Sequence, residues 1–266
     1  MNTGSGAAAS AVTEQSKRKY DDLADRYEEV YFYVADLGER LIDRADPAPG
    51  TRVLDIGAGR GAVARAALAK GCAVTAVDVS PRMVELLAAD LPQIAVHCME
   101  AGRLGFPDGA FDLVTAGFVL QILDEPAAAL AEIRRVLTPG GTVALSVDTQ
   151  SIGRLGWLPE LTAEFFGSGG GRAATASDRT DDLLARAGFT DIRRETVTVL
   201  QPLPDPPALW DWMMPRGLTE ILKTLPASRA EDFRQAFMTH AEQMHRADDG
   251  IVLDFILTLH LAKAPL

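Results

Sequence analysis

Short apolar runs alternate with longer amphipathic stretches through the first 150 residues of the chain. Five of these runs have the length of a buried strand, and they read "RVLDI", "AVTAVDV", "IAVHC", "FDLVTA" and "TVALSV". The stretches between them have helical composition or spacing, as in the alanine-rich Gly61–Lys70 and in Glu125–Leu137. Strands that alternate with helices of about ten residues predict βαβ units, and hence a parallel sheet covered by helices on both faces.

Local residue types predict where several of these elements begin and end. The stretch 20–45 has apolar residues at helical spacing and is followed by two prolines and a glycine, which predicts one long helix. Ser80 and Pro81 have the residue types of an N-cap and a first helical position, so another helix is expected to begin there. Residues 1–19 are mostly small and polar, and we expect them to form a disordered arm rather than a signal peptide.

The pattern changes after residue 150. The stretch 165–178 is rich in glycine and small residues, which predicts a flexible loop able to close over a pocket. Two later runs, "TDIRRETVTVL" and "GIVLDFILTLHLAK", alternate like strands and are separated by a segment rich in proline and helical patterns. We therefore expect one domain over 20–266, with an antiparallel ribbon at the sheet edge and cap or lid insertions at about 151–178 and 202–248.

Composition and charge exclude some partners. The chain has 26 basic against 37 acidic residues, and its net charge of −11 disfavours a nucleic-acid partner. No apolar run reaches membrane-spanning length, because Asp254 and His260 interrupt the longest candidate. We expect a cytoplasmic monomer or homodimer without a membrane partner, in which Cys72 and Cys98 are buried thiols.

The stretch "VLDIGAGRG" (53–61) brings an apolar strand directly into three glycines. In an α/β sheet, the turn after the first strand is a common ligand cradle, because glycine permits close backbone approach and positive φ. Asp78 ends the second predicted strand, where its carboxylate can accept hydrogen bonds from ribose hydroxyls. The expected ligand therefore carries an adenosine-like sugar.

Two cofactor classes share those features. Gly57-x-Gly59-x-x-Ala62 fits the dinucleotide pattern, which has low specificity by itself. Asp55 stands two residues before the first glycine, and a carboxylate there suits a cationic ligand end better than a pyrophosphate. The segments "AVDVS", "EAGRLGFPDGAFDLV" and "IRRVLTPGGTVALS" follow at set distances. Together with "VLDIGAGRG" they resemble class I S-adenosylmethionine-dependent methyltransferases, especially the small-molecule branch, over about residues 20 to 150.

The resemblance implies a fold and a set of cofactor contacts. The implied fold is an α/β, Rossmann-like sheet of seven mostly parallel strands with an antiparallel last strand, helices on both faces and a helical cap before the last strand. Asp55 would face the ligand ammonium and Asp78 the ribose, while Glu100 stands where the family most often has aspartate. Tyr27 could equally pack within the first helix. The residues implied to hold S-adenosylmethionine are Tyr20, Tyr27, Asp55, Gly57, Ala58, Gly59, Asp78, Val79, Glu100, Ala101, Gly102, Gly117 and Phe118.

Methyl transfer from a sulfonium depends mainly on positioning and on exclusion of water. A general base is needed only where the acceptor is still protonated at neutral pH. His245 in the predicted cap and Asp148 just after the fifth strand are the candidate catalytic bases, with a solvated helix position and a turn position as their alternatives. His97 and His260 lie on strands and are expected to be structural. No metal is implied, because the aspartate that would hold Mg²⁺ in catechol-type enzymes is missing at 115–117. A histidine metal pair is not expected either, since His240 and His245 lie about 140° apart around a helix.

Substrate choice is expected to depend on the cap. Trp210, Trp212, Met213 and Met214 suit a planar or apolar small molecule, although their helical spacing also fits packing of the cap. The favoured function is transfer of a methyl group from S-adenosylmethionine to a small metabolite, with oxygen the favoured acceptor and nitrogen or carbon open. The alternatives are a cyclase or other enzyme that retains the cofactor without methylating, a binding protein without turnover, and a nicotinamide oxidoreductase.

Overall fold

The computed structural model describes residues 14, 17–31, 33–167, 176–248 and 250–266. The chain forms two compact units. The first unit comprises Met1–Thr149, Thr175–Val197 and Leu257–Leu266, and the second unit comprises Gln150–Ala174 and Thr198–Ile256. The insertion expected at about 202–248 lies within the second unit. The insertion expected at about 151–178 lies in the second unit as far as residue 174.

Among the described residues, seven strands form one sheet in the order β3-β2-β1-β4-β5-β7-β6. The strands are β1 (Arg52–Ile56), β2 (Ala73–Asp78), β3 (Ala95–Cys98), β4 (Phe111–Gly117), β5 (Leu137–Ile152), β6 (Thr190–Leu203) and β7 (Ile251–Lys263). The first five are parallel to one another and the last two are antiparallel, which confirms the fold class expected from the sequence.

Helices connect these strands and also build most of the second unit. They are α1 (Tyr27–Val30), α2 (Val34–Ala45), α3 (Ala62–Ala69), α4 (Pro81–Asp90), α5 (Pro126–Val136), α6 (Leu158–Phe166), α7 (Ala176–Arg186), α8 (Pro206–Met213), α9 (Leu218–Leu222) and α10 (Ala227–Asp248). The expected start of α4 is confirmed, because Ser80 caps the helix by accepting from the Met83 N–H at 3.0 Å.

The order of the strands determines where a ligand can bind. β1 pairs with β2 on one side and with β4 on the other, so the chain reverses its direction of sheet growth at the carboxyl ends of β1 and β4. In open α/β sheets, ligands bind in the crevice at such a switch point. Asp55 lies there, in register with Ala76 of β2 and Thr115 of β4.

Two apolar layers cover the opposite faces of the sheet in the first unit. Consecutive residues of β1 face opposite sides, so Val53 packs in the layer with Leu41 of α2, and Leu54 packs in the layer with Ile133 of α5. Each of these side chains is at most 1% exposed. A strand buried on both faces explains why "VLDI" is continuously apolar except for Asp55.

The second unit has an aromatic core of its own. Phe233 and Phe237 of α10 are fully buried. The ring of Trp210 meets Phe237 edge-on with centroids 5.1 Å apart, and Trp157 does the same at 5.2 Å. Such edge-to-face pairs add to the burial of aromatic area. Packing within the cap, one of the two roles weighed for Trp210, is therefore observed.

Several expectations from the sequence were wrong. The ends of the loop expected at 165–178 belong to helices α6 and α7, and residues 168–175 of that loop lie outside the described residues. Cys98 is exposed, because it lies at the end of β3, which is an edge strand of the sheet; Cys72 is buried as expected. The single helix expected over 20–45 is instead divided into a helical stretch at 17–23, a 3-10 turn, α1 and α2. The reason is that its parts pack against different neighbours: the 3-10 turn contacts α4, whereas α2 packs along α3.

Candidate cofactor site and active site

The glycine turn after β1 has the backbone conformation that the sequence predicts. Gly57 and Gly59 have φ angles of 62° and 52°, which L side chains rarely adopt. A Cβ atom at Gly57 would lie 2.3 Å from a methyl carbon of Val119, whereas one at Gly59 would have 3.8 Å to the ring of Tyr27. The backbone at Gly57 thus closely approaches the segment after β4, and the turn leaves space in front of Gly59.

Asp78 has a nearly buried carboxylate at the end of β2. Its Oδ2 accepts a hydrogen bond from the Gly59 N–H at 2.8 Å, and its Oδ1 accepts one from the Ser80 N–H at 2.9 Å. Burial raises the pKa of this carboxyl, and the backbone hydrogen bonds oppose that rise. Each oxygen keeps lone-pair capacity, so the pair can also accept hydrogen bonds from two neighbouring hydroxyls.

Asp55 is the most deeply buried carboxylate of the site, with 1% of its surface exposed. Its Oδ1 accepts from the Thr115 hydroxyl at 2.9 Å, but Oδ2 is buried and makes no well-formed hydrogen bond. Burial raises the pKa of Asp55 to about 7; the Thr115 hydroxyl and the Ala64 amide oppose this rise, and the charge of Asp78 adds to it. A buried carboxylate oxygen without a partner is costly unless a donor, above all a cationic one, occupies the space before it.

Two cavities in the first unit contain these groups. One, of about 410 Å³, is lined by Asp55 and Ala58, and the other, of about 480 Å³, is lined by Asp78 and Glu100. All the residues that the sequence assigned to S-adenosylmethionine line one or both cavities. The residues shared by both are Tyr27, Gly57, Gly117 and Phe118, those of the first alone are Asp55 and Ala58, and those of the second alone are Tyr20, Gly59, Asp78, Val79, Glu100, Ala101 and Gly102.

Phe118 has a strained backbone at the junction of the two cavities. Its φ of 59° is unusual for an aromatic residue. Its N–H donates to both the carbonyl oxygen and the hydroxyl oxygen of Ser146, at 3.0 and 3.2 Å, and its ring meets Tyr33 edge-on. Strained conformations of this kind persist where their surroundings hold them, often at functional sites. Ser146 is therefore a site residue that sequence reasoning missed.

The apolar wall of the larger cavity was also missed. Ile122, Leu123 and Ala128 line it, from the 3-10 turn after β4 and the first turn of α5. The sequence offered one indication, since "VLQIL" directly follows β4 and places apolar residues at the carboxyl end of a strand. These side chains give the cavity that also contains Asp78 and Glu100 an apolar part, which suits the faces of a purine.

Tyr20 and Tyr27 are both half-buried and line the larger cavity, with ring centroids 6.3 Å apart. Burial raises the pKa of Tyr20 to about 12, and it raises the pKa of Tyr27 further above its ordinary value. Both hydroxyls therefore stay protonated at neutral pH and can donate hydrogen bonds. The tyrosine ring of Tyr27 faces the glycine turn, in addition to packing against Tyr31.

The candidate bases and substrate residues lie elsewhere in the chain. His245 belongs to α10 of the second unit, and its Nδ1 is buried without a hydrogen-bond partner. Asp148 was expected just after the fifth strand but lies within it, because β5 extends to Ile152; its side chain is outside the described residues. His260 is buried with Nδ1 2.8 Å from an Asp181 oxygen, a structural arrangement. The substrate candidates other than Trp210, which are Trp212, Met213 and Met214, are half-buried in the second unit.

In the part of the chain that the structure describes, no group of three or more histidine, cysteine, aspartate or glutamate side chains is arranged to hold a metal ion. Nor is any helix within those residues long and apolar enough to cross a membrane.

The chain was compared with known proteins. A family model described as a methyltransferase domain matches residues 54–145. The aklanonic acid methyltransferase DauC of Streptomyces sp. (strain C5) is 36% identical over 161 residues, which cover 57% of this chain and 69% of that protein. The nocamycin O-methyltransferase of Saccharothrix syringae is 30% identical over 227 residues, 75% of this chain and 81% of that protein.

Solved structures show the same fold. The cyclase SpnF matches with a TM-score of 0.55 at 23% identity, covering 87% of this chain and 81% of that one. At that identity the likeness concerns the fold alone. The relatives of higher identity, the matched domain and the seven-stranded sheet agree with one another, and they show that the chain belongs to the class I S-adenosylmethionine-dependent methyltransferases.

Proposed function

We propose that this methyltransferase transfers a methyl group from S-adenosylmethionine to an oxygen atom of a small, largely apolar metabolite. The proposal is supported by two relatives whose names specify small molecules, aklanonic acid and nocamycin, the second of them as an O-methyltransferase. The observation that carries it is the pair of buried carboxylates at the switch point. Asp78 offers two acceptors for a ribose, and Asp55 offers an oxygen, Oδ2, that makes no well-formed hydrogen bond and could accept from an ammonium group.

The residues present fit the cofactor. A zwitterionic amino acid joined to a nucleoside needs an anionic partner for its ammonium and acceptors for its sugar hydroxyls, together with an apolar slot for its base. Asp55, Asp78 and the surface formed by Ile122, Leu123 and Ala128 have these properties. Glu100, Ala101 and Gly102 line the same cavity, and Glu100 would accept a hydrogen bond from an exocyclic amine.

The chain's own groups would act mainly by positioning. When bound, S-adenosylmethionine supplies an electrophilic methyl group on a sulfonium. Gly117 and Phe118 would border the reacting atoms, and the ring of Phe118 packs edge-on against Tyr33. Tyr20 and Tyr27 would exclude water from the site, which strengthens the electrostatic interactions within it. Rate enhancement would then come from orientation and desolvation.

A proton must leave if the acceptor is a hydroxyl group. His245 and Asp148 remain the candidate bases, and Trp210, Trp212, Met213 and Met214 the candidate substrate contacts. An acceptor that is already ionised would need neither base. We further propose that the protein acts in biosynthesis in the cytoplasm, as a monomer or homodimer.

A second candidate is a cyclase that keeps the cofactor without using its methyl group. The observation that favours it is the fold shared with SpnF. The two functions differ in product mass and in cofactor dependence. A methyltransferase requires S-adenosylmethionine and adds one methyl group, whereas a cyclase yields an isomer of its substrate and also works with S-adenosylhomocysteine.

The test is an acceptor screen with S-adenosylmethionine carrying a deuterated methyl group, read by mass spectrometry. We expect a phenolic or carboxylic acceptor to gain the labelled methyl, and we expect Asp78→Asn to lose most of this activity. Asp112→Asn is the matched control, because Asp112 is an exposed aspartate that pairs with Arg52 at the start of β1. Turnover to an unlabelled isomer, with either form of the cofactor, would establish the cyclase instead.

A further inference from the structure

The N-terminal segment, residues 17–31, forms one wall of the larger cavity through Tyr20 and Tyr27. Ala24, between them, is fully buried, whereas Asp25 and Glu28 are exposed. The segment is not a strand of the sheet, so no ladder of backbone hydrogen bonds joins it to the core. What fastens it must therefore be sought in its side chains.

Asp21 makes the central contact. Its Oδ1 accepts a hydrogen bond from the buried hydroxyl of Ser80 and a second one, at 3.2 Å, from the backbone N–H of Arg82. Both donors lie at the first turn of α4, where a carboxylate is favoured by the unpaired N–H groups and the helix dipole. The hydroxyl of Ser80 is also fully used, since it accepts from the Met83 N–H.

Ser80 joins this contact to the ribose-binding group. Its hydroxyl binds Asp21 of the segment, and its backbone N–H donates to Asp78 Oδ1. Two carboxylates, one on the N-terminal segment and one at the end of β2, therefore share a single buried residue. A displacement of Asp21 leaves the Ser80 hydroxyl without its acceptor, which is costly for a group that is 0% exposed.

A second layer of contacts, exposed at Asp25 and partly buried at Arg60, surrounds this one. The Arg82 guanidinium pairs with Asp25 at 2.6 Å, and Arg60 donates to the Ala24 carbonyl oxygen at 3.3 Å while pairing with Asp90. Exposed ion pairs of this kind contribute little to stability and weaken with salt. They can hold a segment closed and still release it on the timescale of a lid.

We propose that Asp21, Ser80 and Arg82 form a latch, which fastens the tyrosine-bearing N-terminal segment over the cavity and links its closed position to Asp78. Opening of the latch controls the release of the spent cofactor. Asp21 is a positioning residue in this account, because it acts through Ser80 and touches no reacting group. The inference rests on the proposed cofactor pocket, but the latch itself can be tested without any ligand.

The first test uses the positions of the tyrosines. All four tyrosines of the chain, Tyr20, Tyr27, Tyr31 and Tyr33, lie in or beside the segment, so fluorotyrosine labelling gives ¹⁹F resonances from this region alone. In the ligand-free protein, we expect Asp21→Ala to move the resonances of Tyr20 and Tyr27, the two tyrosines that line the larger cavity, toward solvent-exposed positions. Asp21→Asn keeps an acceptor oxygen and should restore most of the wild-type spectrum. An Asp21→Ala spectrum identical to the wild type would overturn the latch.

The second test measures the dissociation rate of S-adenosylhomocysteine by stopped-flow displacement. We expect Asp21→Ala to raise this rate about tenfold or more. Arg82→Gln removes only the outer ion pair with Asp25, and we expect it to raise the rate about two- to fivefold. Raising the salt from about 0.1 M to about 1 M should accelerate release from the wild type but not further from Arg82→Gln.

Arg52→Gln is the control for the second test. It removes an ion pair of the same 2.6 Å length at the far end of β1, and it should leave the dissociation rate unchanged. Equal dissociation rates in Asp21→Ala, Arg82→Gln and the wild type would overturn the proposal. A wild type that binds no S-adenosylhomocysteine would refute the cofactor pocket, and the fluorine spectra would then decide on the latch alone.

Discussion

Replacement of Asp55 by asparagine tests whether the site carries a buried, destabilised carboxylate. In the folded protein, burial raises the pKa of Asp55 from 3.8 to about 7. Because the pKa of Asp55 is higher in the folded state than in the unfolded state, protonation of Asp55 favours the folded state. This contribution to stability is fully present at pH values below the unfolded pKa. That stability is lost as the pH rises through the folded pKa. Three pKa units correspond to about 4 kcal/mol.

The variant should remove this dependence on pH. Asparagine is neutral throughout, so the difference in unfolding free energy between Asp55→Asn and the wild type should shift by about 4 kcal/mol in favour of the variant from pH 4 to pH 8. The amide adds a donor where Oδ2 had no partner, which costs about 1–3 kcal/mol at every pH. Because this cost is the same at both pH values, it cancels when the stability difference at pH 8 is compared with that at pH 4. The change with pH is therefore a better measure of the raised pKa than the stability at a single pH.

Urea unfolding of the ligand-free protein, followed by tyrosine absorbance, provides the assay. All four tyrosines belong to the first unit, and all three tryptophans belong to the second: Trp157, Trp210 and Trp212. The tyrosine signal and the tryptophan signal therefore report on different units. The effect should appear in the tyrosine signal. A difference between variant and wild type that stays constant with pH would refute the raised pKa, and with it the reason for expecting an ammonium at Oδ2.

Asp55→Asn should also weaken binding of S-adenosylmethionine about 10- to 100-fold, since a hydrogen bond to a charged partner is lost. Asp112→Asn is the matched control. Arg52 lowers the pKa of Asp112, so its pH dependence has the opposite sign, and its distance from the pocket leaves binding unchanged.

Further predictions concern the glycine turn, the strained residue and the base. Gly57→Ala should abolish cofactor binding, because its Cβ would meet Val119 at 2.3 Å, whereas Gly50→Ala, with φ of 84° and open space around it, should retain binding in the same calorimetric assay. Phe118→Gly should be more stable than Phe118→Ala by about 1 kcal/mol in urea unfolding, since a φ of 59° is costly for an L side chain; the reverse order would exclude that conformation. If His245 is the base, His245→Gln should lower kcat for a hydroxyl acceptor by about 10²–10⁴-fold with little change in KM, and an unchanged kcat would exclude that role.

The sheet and the cofactor turn could be predicted from the sequence because they depend on local patterns. A strand that enters glycines and a second strand that ends in Asp78 each occupy a few consecutive residues, and parallel topology brings their ends together. Helix α4 was located by its cap for the same reason. The resemblance to methyltransferases then identified the ligand that such a turn would hold.

Features that depend on distant contacts could not be predicted. The conformation of Phe118 depends on Ser146, 28 residues away, and the contact of Asp21 with Ser80 spans 59 residues. The exposure of Cys98 follows from the position of β3 at the sheet edge, which the strand's own residues do not encode. The roles of His245 and of Trp212 stay predictions, because they depend on a substrate that the sequence does not identify.

Calorimetric titration of the purified protein with S-adenosylmethionine and, in parallel, with NAD tests the central claim most directly. The account predicts saturable binding of S-adenosylmethionine with one site per chain, and no binding of NAD. Binding of NAD without S-adenosylmethionine would contradict the assignment of Asp55 and Asp78 to an ammonium and its ribose.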